Sequence, residues 1–581
     1  MLTPSERRDW LVEQYSPWSR RTLGDHFTAL ASRFGERPLL VTPDRSISYA
    51  QIVREARYLA RAMLAMGVCR RDHIAILLGN EPEFVFLTLA VSMVGGVAIP
   101  LNTMLHEDEL EYLLAQSDSK WVFVHQHVAG INHEKAIASI IQSRRRRGEP
   151  LAIENVVVLA TTDERVLNEF QTWEDFKARG ESVSEGQLDA RREASRYPDE
   201  VVDIIYTSGT TGLPKGVMLT SDMLLRCGYS SALSRAFEEG RRVFTPLPLY
   251  HVFALVEGLM AVSFVGGTII TMPSFKPAQA LGMVQDLEAN DILCVPTILL
   301  ALVNEAERVQ YDLTALYALM CAAAPAPVPL WERAIAVFGL TEMVTGYGGT
   351  EASAATVHTE IGDSLDTITT KVGRIKPGGP SGLEEFGWAN SQYKVVDPAT
   401  GEDLPEGLVG ELAVRGNFVT RGYYRKPDET ARHIDKDGWF RTGDLGRIDE
   451  NGYLEFHGRA NELYKVSGEN VSPKEIEEVI SRHPAVSQAY VVGVPSPVTI
   501  ETGAALIELR QGATASRREM IEWCREHLAK FKVPRYYFFV EPSEWPMTGT
   551  GKIQKYLLAQ LARERISDDG VGEEDLDSEP H

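Results

Sequence analysis

The chain has 581 residues, which allows about three to four domains at roughly 150 residues each. Apolar residues make up 44% and charged residues 24%, a balance that excludes collagen-like, coiled-coil or disordered structure over most of the length. The formal charge of −22, from 59 basic and 81 acidic residues, argues against a nucleic-acid partner, because phosphate contacts need clustered Lys and Arg.

Cysteine usage and the N-terminal residues predict a cytoplasmic protein. The five cysteines show no metal-binding spacing, and the first ten residues lack the apolar segment of a signal peptide. The stretch 84–101 has no charge over 18 residues, which is the threshold for a membrane span. Because it contains Gly95, Gly96 and Pro100, we predict a buried helix over 81–94, then a buried strand, and no membrane span.

Buried strands alternate with helical patterns through the first three quarters of the chain. Strands are predicted at 73–78, 155–159, 202–206, 267–272 and 291–295, and a second helix at 277–290. This alternation predicts an α/β fold with mostly parallel sheets. Long loops are expected at 143–150 and 377–392, and the basic run 144–147 is interpreted as part of a solvated surface loop.

The pattern changes after Arg459. A helix is predicted over 472–483 from its start signal, Ser472 followed by Pro473 and Glu475. Strands at 488–492 and 504–509 and a helix at 516–530 complete a compact α+β unit. We therefore predict a large domain at 1–458, a hinge at 459–462, a small domain at 463–566 and an acidic, disordered tail at 567–581.

The strongest motif is the run 206–216, YTSGTTGLPKG, directly after an apolar strand. Its glycines let backbone N–H groups approach a ligand, while hydroxyl groups and one lysine add donors. The candidate phosphate-binding residues are Thr207, Ser208, Gly209, Thr210, Thr211, Gly212 and Lys215. The run differs from the Walker pattern, because Pro214 precedes the lysine and Gly216 follows it.

This run resembles the signature loop of the adenylate-forming superfamily, and further segments match that family in order. They are 248–253 (PLYHVF), 346–351 (GYGGTE), 443–444 (GD), 458–459 (GR), 465–468 (KVSG) and 548–553 (TGTGKI). The PLYHVF and SGENVSP segments are more similar to the acyl-CoA and aryl-CoA ligases than to peptide-synthetase domains.

The resemblance implies that a carboxylic acid and ATP give an acyl-adenylate, which coenzyme A then converts to a thioester with release of AMP. Thr207 and Glu351 would hold Mg²⁺, which prefers oxygen ligands. Around the nucleotide, Thr350 would bind the α-phosphate, and Tyr347 and Asp444 the adenine and the ribose. The implied nucleotide site also includes Ala323, Gly348 and, from the hinge, Arg459.

Two lysines and one histidine carry the implied catalysis. Lys552 would bridge the carboxylate and the α-phosphate as charge develops in the transition state. Lys465 would serve the thioester-forming state, which the family reaches by rotation of the small domain. His251 would gate the route of the thiol, with a core histidine as the alternative.

Three features depart from the family pattern. Position 461 is Asn where Asp or Lys is usual, and Ala322 replaces a usual Gly. The region 375–392 is longer than the family's strand connection, and an ordinary insertion loop is favoured over a lid or partner contact. A specialised enzyme that mainly performs the second half-reaction therefore stays an alternative.

The substrate is expected to be a hydrophobic carboxylic acid, fatty or cyclic. Small residues at Ala322 and Ala324, together with His251 and Gly348, are the predicted pocket residues. Two different functions stay compatible with the sequence, namely loading of a separate carrier protein and nucleotide binding by a catalytically silent regulator. Whether the chain forms a homodimer stays open.

Overall fold

The computed structural model describes residues 2–128, 130–160, 165–207, 213–460, 462–466, 469–496, 499–547 and 553–568. The predictions for 208–212, Asn461, 467–468, 548–552 and the tail from 569 onward lie outside these residues.

The strands are numbered in chain order. They are β1 Pro38–Val41, β2 Ser46–Ser48, β3 His73–Leu77, β4 Val97–Pro100, β5 Trp121–His125, β6 His127–Val128, β7 Ile131–Asn132, β8 Asn155–Leu159, β9 Gln171–Thr172, β10 Val201–Thr207, β11 Lys215–Thr220, β12 Arg242–Phe244, β13 Thr268–Ile270, β14 Asp291–Cys294, β15 Ala318–Cys321, β16 Glu342–Val344, β17 Gly346–Gly349, β18 Ala354–His358, β19 Arg374–Ile375, β20 Ser391–Val396, β21 Gly410–Gly416, β22 Phe440–Ile448, β23 Leu454–Arg459, β24 Tyr464–Val466, β25 Glu469–Val471, β26 Val486–Ser496, β27 Ile500–Leu509 and β28 Tyr536–Phe539.

The helices are numbered in the same way. They are α1 Pro4–Gln14, α2 Leu23–Phe34, α3 Tyr49–Ala65, α4 Pro82–Val94, α5 Glu107–Gln116, α6 His133–Arg146, α7 Trp173–Arg179, α8 Glu185–Ala194, α9 Ser221–Ser234, α10 Ala261–Ser263, α11 Pro277–Asp286, α12 Pro296–Arg308, α13 Val328–Phe338, α14 Leu365–Thr370, α15 Pro427–His433, α16 Pro473–Ser481, α17 Arg517–His527 and α18 Lys555–Asp568. A π-type helix, Phe253–Met260, leads directly into α10.

Two seven-stranded sheets form the centre of the large lobe. Their strand orders are β16-β15-β14-β12-β13-β1-β2 and β11-β10-β4-β3-β5-β8-β9. All neighbouring strands run parallel except at one edge of each sheet, where β2 and β11 are antiparallel to their neighbours. The predicted α/β class with mostly parallel sheets is confirmed.

Smaller antiparallel sheets complete the large lobe and build the small one. Strands β17-β18-β19 and β20-β21-β22-β23 form two sheets that follow the parallel core in the chain. After Tyr464, β24 to β28 form a separate sheet whose hydrophobic clusters contain only residues of this lobe. A separate small lobe fits the predicted two-domain organisation, while the hinge at 459–462 stays a prediction.

Local sequence accounts for the buried helix α4. Pro82 occupies its first turn and Gly95 ends it with φ 74°, a left-handed conformation that favours glycine. All residues from Phe84 to Val94 are buried inside the large lobe. Among the described residues, no helix combines the length and the apolar character that a membrane crossing requires.

One local prediction is wrong. Arg144 to Arg146 belong to the last turn of α6 and not to a loop. Their positive charges are favourable there, because the C-terminal end of the helix dipole is negative. Arg144 and Arg147 both pair with Glu111. Ser472 stands at the N-cap of α16 as predicted, but its side chain does not cap the helix.

Candidate active site

The phosphate-loop motif begins and ends on an antiparallel hairpin. Thr207 is the last residue of β10 and pairs with Lys215, the first residue of β11. Because β10 runs parallel to β4, the motif leaves the sheet at the carboxyl end of a parallel strand, where ligands bind in open α/β sheets. Of the predicted loop, Ser208, Gly209, Thr210, Thr211 and Gly212 lie outside the described residues.

Lys215 is held by partners that lie far away in the sequence. Its Nζ is 3.0 Å from Glu429 Oε2 and 3.3 Å from His433 Nε2, both in α15. It also lies 5.0 Å from the centre of the Tyr423 ring. The hydrogen bond from Lys215 lowers the pKa of the Glu429 carboxyl. The lysine is therefore oriented by α15 as well as by the motif.

Glu351 is joined to the same hairpin through Tyr423. The Tyr423 hydroxyl donates to Glu351 Oε1 at 2.9 Å, and Thr420 N donates to the Glu351 carbonyl at 2.7 Å. The backbone of Tyr423 pairs with Val217 of β11. Segment 420–424 thus links the carboxylate predicted to bind metal with the hairpin that carries Thr207 and Lys215.

The predicted adenosine-binding residues meet in one place. The Tyr347 hydroxyl donates to Asp444 Oδ2 at 2.6 Å, and Arg459 Nε lies 3.2 Å from Asp444 Oδ1. Asp444 and Arg459 are direct neighbours across β22 and β23. Burial raises the pKa of Tyr347 well above its ordinary value, and its ring stacks on Phe456 at 5.9 Å.

Two small residues of the predicted site, Ala323 and Gly348, stand at positions with unusual backbone geometry. Ala323 has φ 70°, which is uncommon for a residue other than glycine. A Cβ at Gly348 would lie 1.9 Å from the Ala354 carbonyl oxygen, so no other residue fits between β17 and β18 there. Ala322 N donates to the Cys294 carbonyl at 3.2 Å, which places the stretch Ala322–Ala324 at the carboxyl end of β15.

His251 lies in a loop that Asn80 holds. Asn80 Oδ1 accepts from Leu249 N at 2.8 Å, and its Nδ2 donates to the Leu247 carbonyl at 3.0 Å. Phe253 N then donates to His251 Nδ1 at 3.2 Å, so the imidazole is fixed where the π-type helix begins. A polar residue three positions after the end of the buried strand β3 was the signal that could have identified Asn80.

The small lobe contacts the large lobe beside the adenosine residues. Ser472 Oγ donates to the His457 carbonyl at 2.8 Å, instead of capping α16. Lys474 Nζ donates to the Phe456 carbonyl and lies 5.0 Å from the centre of that ring. Since Phe456 also stacks on Tyr347, this ring links the start of α16 with the predicted adenine-binding residue.

Of the two predicted lysines of the small lobe, only Lys465 belongs to the residues that the structure describes. Lys465 is exposed in β24, and its backbone N–H donates to Glu501 Oε2 at 2.8 Å. Lys552 lies outside the described residues. Three residues after it, Lys555 is paired with Glu462 at 3.0 Å and with Glu477 at 2.9 Å, so the chain that follows Lys552 is anchored beside the hinge.

The arrangement around Glu351 fits a magnesium ion held jointly by protein and phosphates. Within the described residues, Glu351 Oε2 accepts no hydrogen bond, while Oε1 is fixed by Tyr423. No group of three or more metal-ligating side chains occurs in the part of the chain that the structure describes. Mg²⁺ commonly uses one or two carboxylates together with substrate phosphates, and these residues suit that mode of binding.

The fold and the grouped residues define a class, the AMP-binding enzymes. The chain belongs to this family: the family model "AMP-binding enzyme" matches residues 27–424, and "AMP-binding enzyme C-terminal domain" matches 475–552. The protein is therefore an enzyme, an AMP-forming ligase of the acyl-CoA synthetase type.

Similar proteins cover almost the whole chain. The putative acyl-CoA synthetase YngI of Bacillus subtilis is 33% identical over 94% of this chain and 98% of its own. The acyl-CoA ligase sidI of Aspergillus fumigatus is 31% identical over 93% and 91%. The crystal structure of ATP-bound MatB from Rhodopseudomonas palustris is 28% identical, with a TM-score of 0.78 over 93% of this chain and 99% of that one.

Proposed function

We propose that the protein is an acid–CoA ligase that works in two half-reactions. A carboxylate oxygen of a hydrophobic acid attacks the α-phosphorus of ATP, and the bond to the β-phosphate oxygen breaks to release pyrophosphate. The sulfur of coenzyme A then attacks the acyl carbon, AMP leaves and the thiol proton passes to solvent. The names of the relatives, acyl-CoA synthetase and acyl-CoA ligase, support this reaction class.

One observation carries the proposal. The continuous segment from Tyr347 to Glu351 meets the Asp444–Arg459 pair at one end and, through Tyr423, the β10–β11 hairpin at the other. A nucleoside triphosphate that spans this segment would place its adenosine near Tyr347 and its phosphates near Thr207 and Lys215. MatB, a structure of the same fold, was solved with ATP bound, which supports ATP as the nucleotide.

Each residue then has a chemical role. The Asp444 carboxylate accepts hydrogen bonds from the ribose hydroxyls, and Arg459 stays paired with it. Thr350 binds the α-phosphate, while Thr207 and Glu351 would hold Mg²⁺, which neutralises phosphate charge when bound. The pocket residues Ala322, Ala324, His251 and Gly348 receive the acid.

The two lysines of the small lobe divide the half-reactions between them. In the first, Lys552 donates to the carboxylate and the α-phosphate. Rotation about the hinge at 459–462 then brings Lys465 to the site for thioester formation. The exposed position of Lys465 in β24 is compatible with such a change of partner.

The test of the proposal is isotope exchange between ATP and pyrophosphate with Mg²⁺ and a panel of acids, followed by addition of coenzyme A. Lys552→Ala is expected to reduce exchange by about 10²- to 10³-fold, since one preorganised donor is lost. Lys530→Ala, a change of an exposed lysine in the same lobe, is the control and should exchange like the wild type. Full exchange in Lys552→Ala would remove this lysine from the mechanism.

The same assay distinguishes the competing functions. Thioester formed only from added acyl-AMP would indicate a specialised second half-reaction, and turnover only with a carrier protein would identify another acceptor. AMP binding without any exchange would indicate a silent regulator. Cytoplasmic location and a homodimer stay predictions that this assay does not address.

A further inference from the structure

A group of ionisable side chains is completely buried in the large lobe. Lys376 and Glu257 have no exposed side-chain surface, and Lys376 Nζ lies 3.2 Å from Glu257 Oε1. His358 Nε2 lies 3.3 Å from the other oxygen, Glu257 Oε2. We call these three residues the Glu257 cluster. Buried charges are rare unless they are paired, so their presence inside an apolar core requires an explanation.

Most polar atoms around the cluster are hydrogen-bonded, but two are not. Lys376 Nζ also donates to Ser231 Oγ at 2.7 Å, and His358 Nδ1 lies 2.6 Å from Ser234 Oγ. Glu257 Oε2 and His358 Nε2 face each other without hydrogen-bond alignment, and neither has another partner among the described residues. An unsatisfied buried acceptor costs about 1–3 kcal/mol, which a donor from a ligand would recover.

The charges of the cluster nearly cancel at neutral pH. Burial alone would raise the pKa of Glu257, but the charge of Lys376 holds it well below its ordinary value. Burial lowers the pKa of His358 to about 4, so its ring is neutral. The cluster therefore contains one cation and one anion, and it suits a neutral polar group better than a second carboxylate.

The cluster lies at the far end of the elements that carry the predicted acid pocket. His358 is opposite Gly346 across β17 and β18, whereas Gly349 is opposite Ala354 beside the nucleotide segment. Three residues of strand separate these positions, which corresponds to about 10 Å. The hairpin thus runs from the predicted nucleotide segment to the cluster.

Two further features place the cluster on elements that neighbour the predicted pocket residues. A Cβ at Gly346 would lie 2.7 Å from His358 Cδ2 and 3.2 Å from the methyl carbon of Met320, which stands in β15 two residues before Ala322. Glu257 follows Phe253 by four residues in the π-type helix that begins after His251. Such wide helical turns are frequent at functional sites.

We propose that the Glu257 cluster is the distal end of the acid pocket and that it selects acids with a hydroxyl group at the end remote from the carboxylate, on the scale of the roughly 10 Å that the strand spans. The hydroxyl donates to Glu257 Oε2, while the apolar middle of the acid lies along β17. An unbroken alkyl chain would leave the polar atoms unsatisfied, and a dicarboxylate would place a second anion beside Glu257. This inference rests on the proposed function and refines its hydrophobic acid to an acid with one polar end.

The wild-type enzyme provides the first test. ATP–pyrophosphate exchange is measured with 8-hydroxyoctanoate, its isostere nonanoate, 8-oxononanoate and nonanedioate. We expect kcat/KM for the hydroxy acid to exceed that for nonanoate by about 10²-fold, because a site built for a hydroxyl rejects analogues that lack it. Nonanedioate should be the poorest substrate. A ratio of hydroxy acid to nonanoate near one, or a preference for nonanoate, the oxo acid or the diacid, overturns the inference. If no acid supports exchange, the proposed function itself fails.

A double variant provides the second test. Glu257→Leu with Lys376→Met removes both charges at similar volume, a replacement that buried ion pairs often tolerate. It should favour nonanoate over the hydroxy acid, and an unchanged ratio in folded protein contradicts the proposal. If thermal unfolding shows that the double variant does not fold, Glu257→Gln replaces it, and its preference for the hydroxy acid should fall at least tenfold. Lys371→Met, which breaks a peripheral pair with Asp449, is the matched control and should keep the wild-type ratio.

Discussion

Backbone geometry constrains two small residues of the predicted site, Gly348 and Ala323. Gly348 stands where β17 and β18 approach so closely that a methyl group would overlap the Ala354 carbonyl oxygen. Ala323 adopts a left-handed conformation that costs a residue with a Cβ about 1–2 kcal/mol. Both lie in segments predicted to bind the substrates, and strain at such sites is often retained because the surrounding structure requires the geometry.

We predict that Gly348→Ala disrupts the nucleotide segment. The added methyl group must displace β18, and we expect a loss of about 3 kcal/mol in the free energy of unfolding, together with loss of ATP–pyrophosphate exchange. Urea unfolding and the exchange assay measure the two effects.

Gly282→Ala is the matched control for this glycine. Its Cβ would have open space within α11, and alanine should stabilise a helix interior by about 1 kcal/mol. A Gly348→Ala protein with wild-type stability and exchange would show that the close approach of the two strands is not required.

At the scale of elements, short segments without a motif hold the motif residues in place. Segment 420–424 pairs with β11 and fixes Glu351, and α15 holds Lys215 through Glu429. Neither segment contains a motif that predicts a functional role, because tyrosine and glutamate are also common on protein surfaces. Pairing over more than 200 residues of sequence separation brings them to the site.

We predict that Tyr423→Phe weakens the first half-reaction without unfolding the protein. Removal of one hydrogen bond to a carboxylate, worth about 1.5 kcal/mol, should reduce exchange roughly tenfold and raise the Mg²⁺ concentration needed for half-maximal exchange. Tyr424→Phe is the control, since its hydroxyl donates to Asp118 at 2.9 Å, a residue without a role in the proposed mechanism. Equal exchange and equal Mg²⁺ requirement in both variants would contradict the assignment of Tyr423.

At the scale of the whole molecule, two lobes must exchange positions for the proposed reaction. We predict that Lys465→Ala leaves ATP–pyrophosphate exchange within twofold of the wild type but lowers thioester formation at least tenfold. Lys465 is exposed and makes no ion pair within the described residues, so its removal should leave folding unchanged. Single-turnover assays that start from acyl-AMP and coenzyme A isolate this step, with Lys530→Ala again as the control. A parallel loss of both half-reactions would argue against alternation.

The Glu257 cluster also predicts how stability depends on pH. His358 has a pKa lowered from 6.5 to about 4 by burial, with Glu257 opposing and Lys376 and Arg235 adding to the shift. Since the unfolded chain binds this proton between pH 6.5 and 4 and the native protein does not, the free energy of unfolding should fall by about 3 kcal/mol as pH decreases through this range.

Urea unfolding at pH 7, 5.5 and 4.5 measures this dependence. His358→Gln should flatten it, because glutamine does not titrate, whereas His527→Gln changes an exposed histidine and should keep the wild-type slope. Equal slopes for the wild type and His358→Gln would contradict the buried, neutral state of this ring.

The sequence by itself determined the alternation of strands and helices, the buried helix α4, and the motifs at 206–216 and 346–351. These features are local, because periodicity, glycine placement and capping act over a few residues. The resemblance of the short segments 443–444 and 458–459 to those of a known family marked Asp444 and Arg459 as candidates.

Only the tertiary structure shows which of these residues contact one another and which residues surround them. The Tyr347–Asp444 hydrogen bond, the support of Glu351 by Tyr423, and the buried Glu257, His358 and Lys376 join residues that are 72 to 119 positions apart in the chain. Contacts of this kind depend on strand order and on close packing of several elements, and no single segment encodes them. The small apolar residues at 322–324 therefore indicated a hydrophobic acid, while the fold buries a polar cluster at the far end of the β17–β18 hairpin.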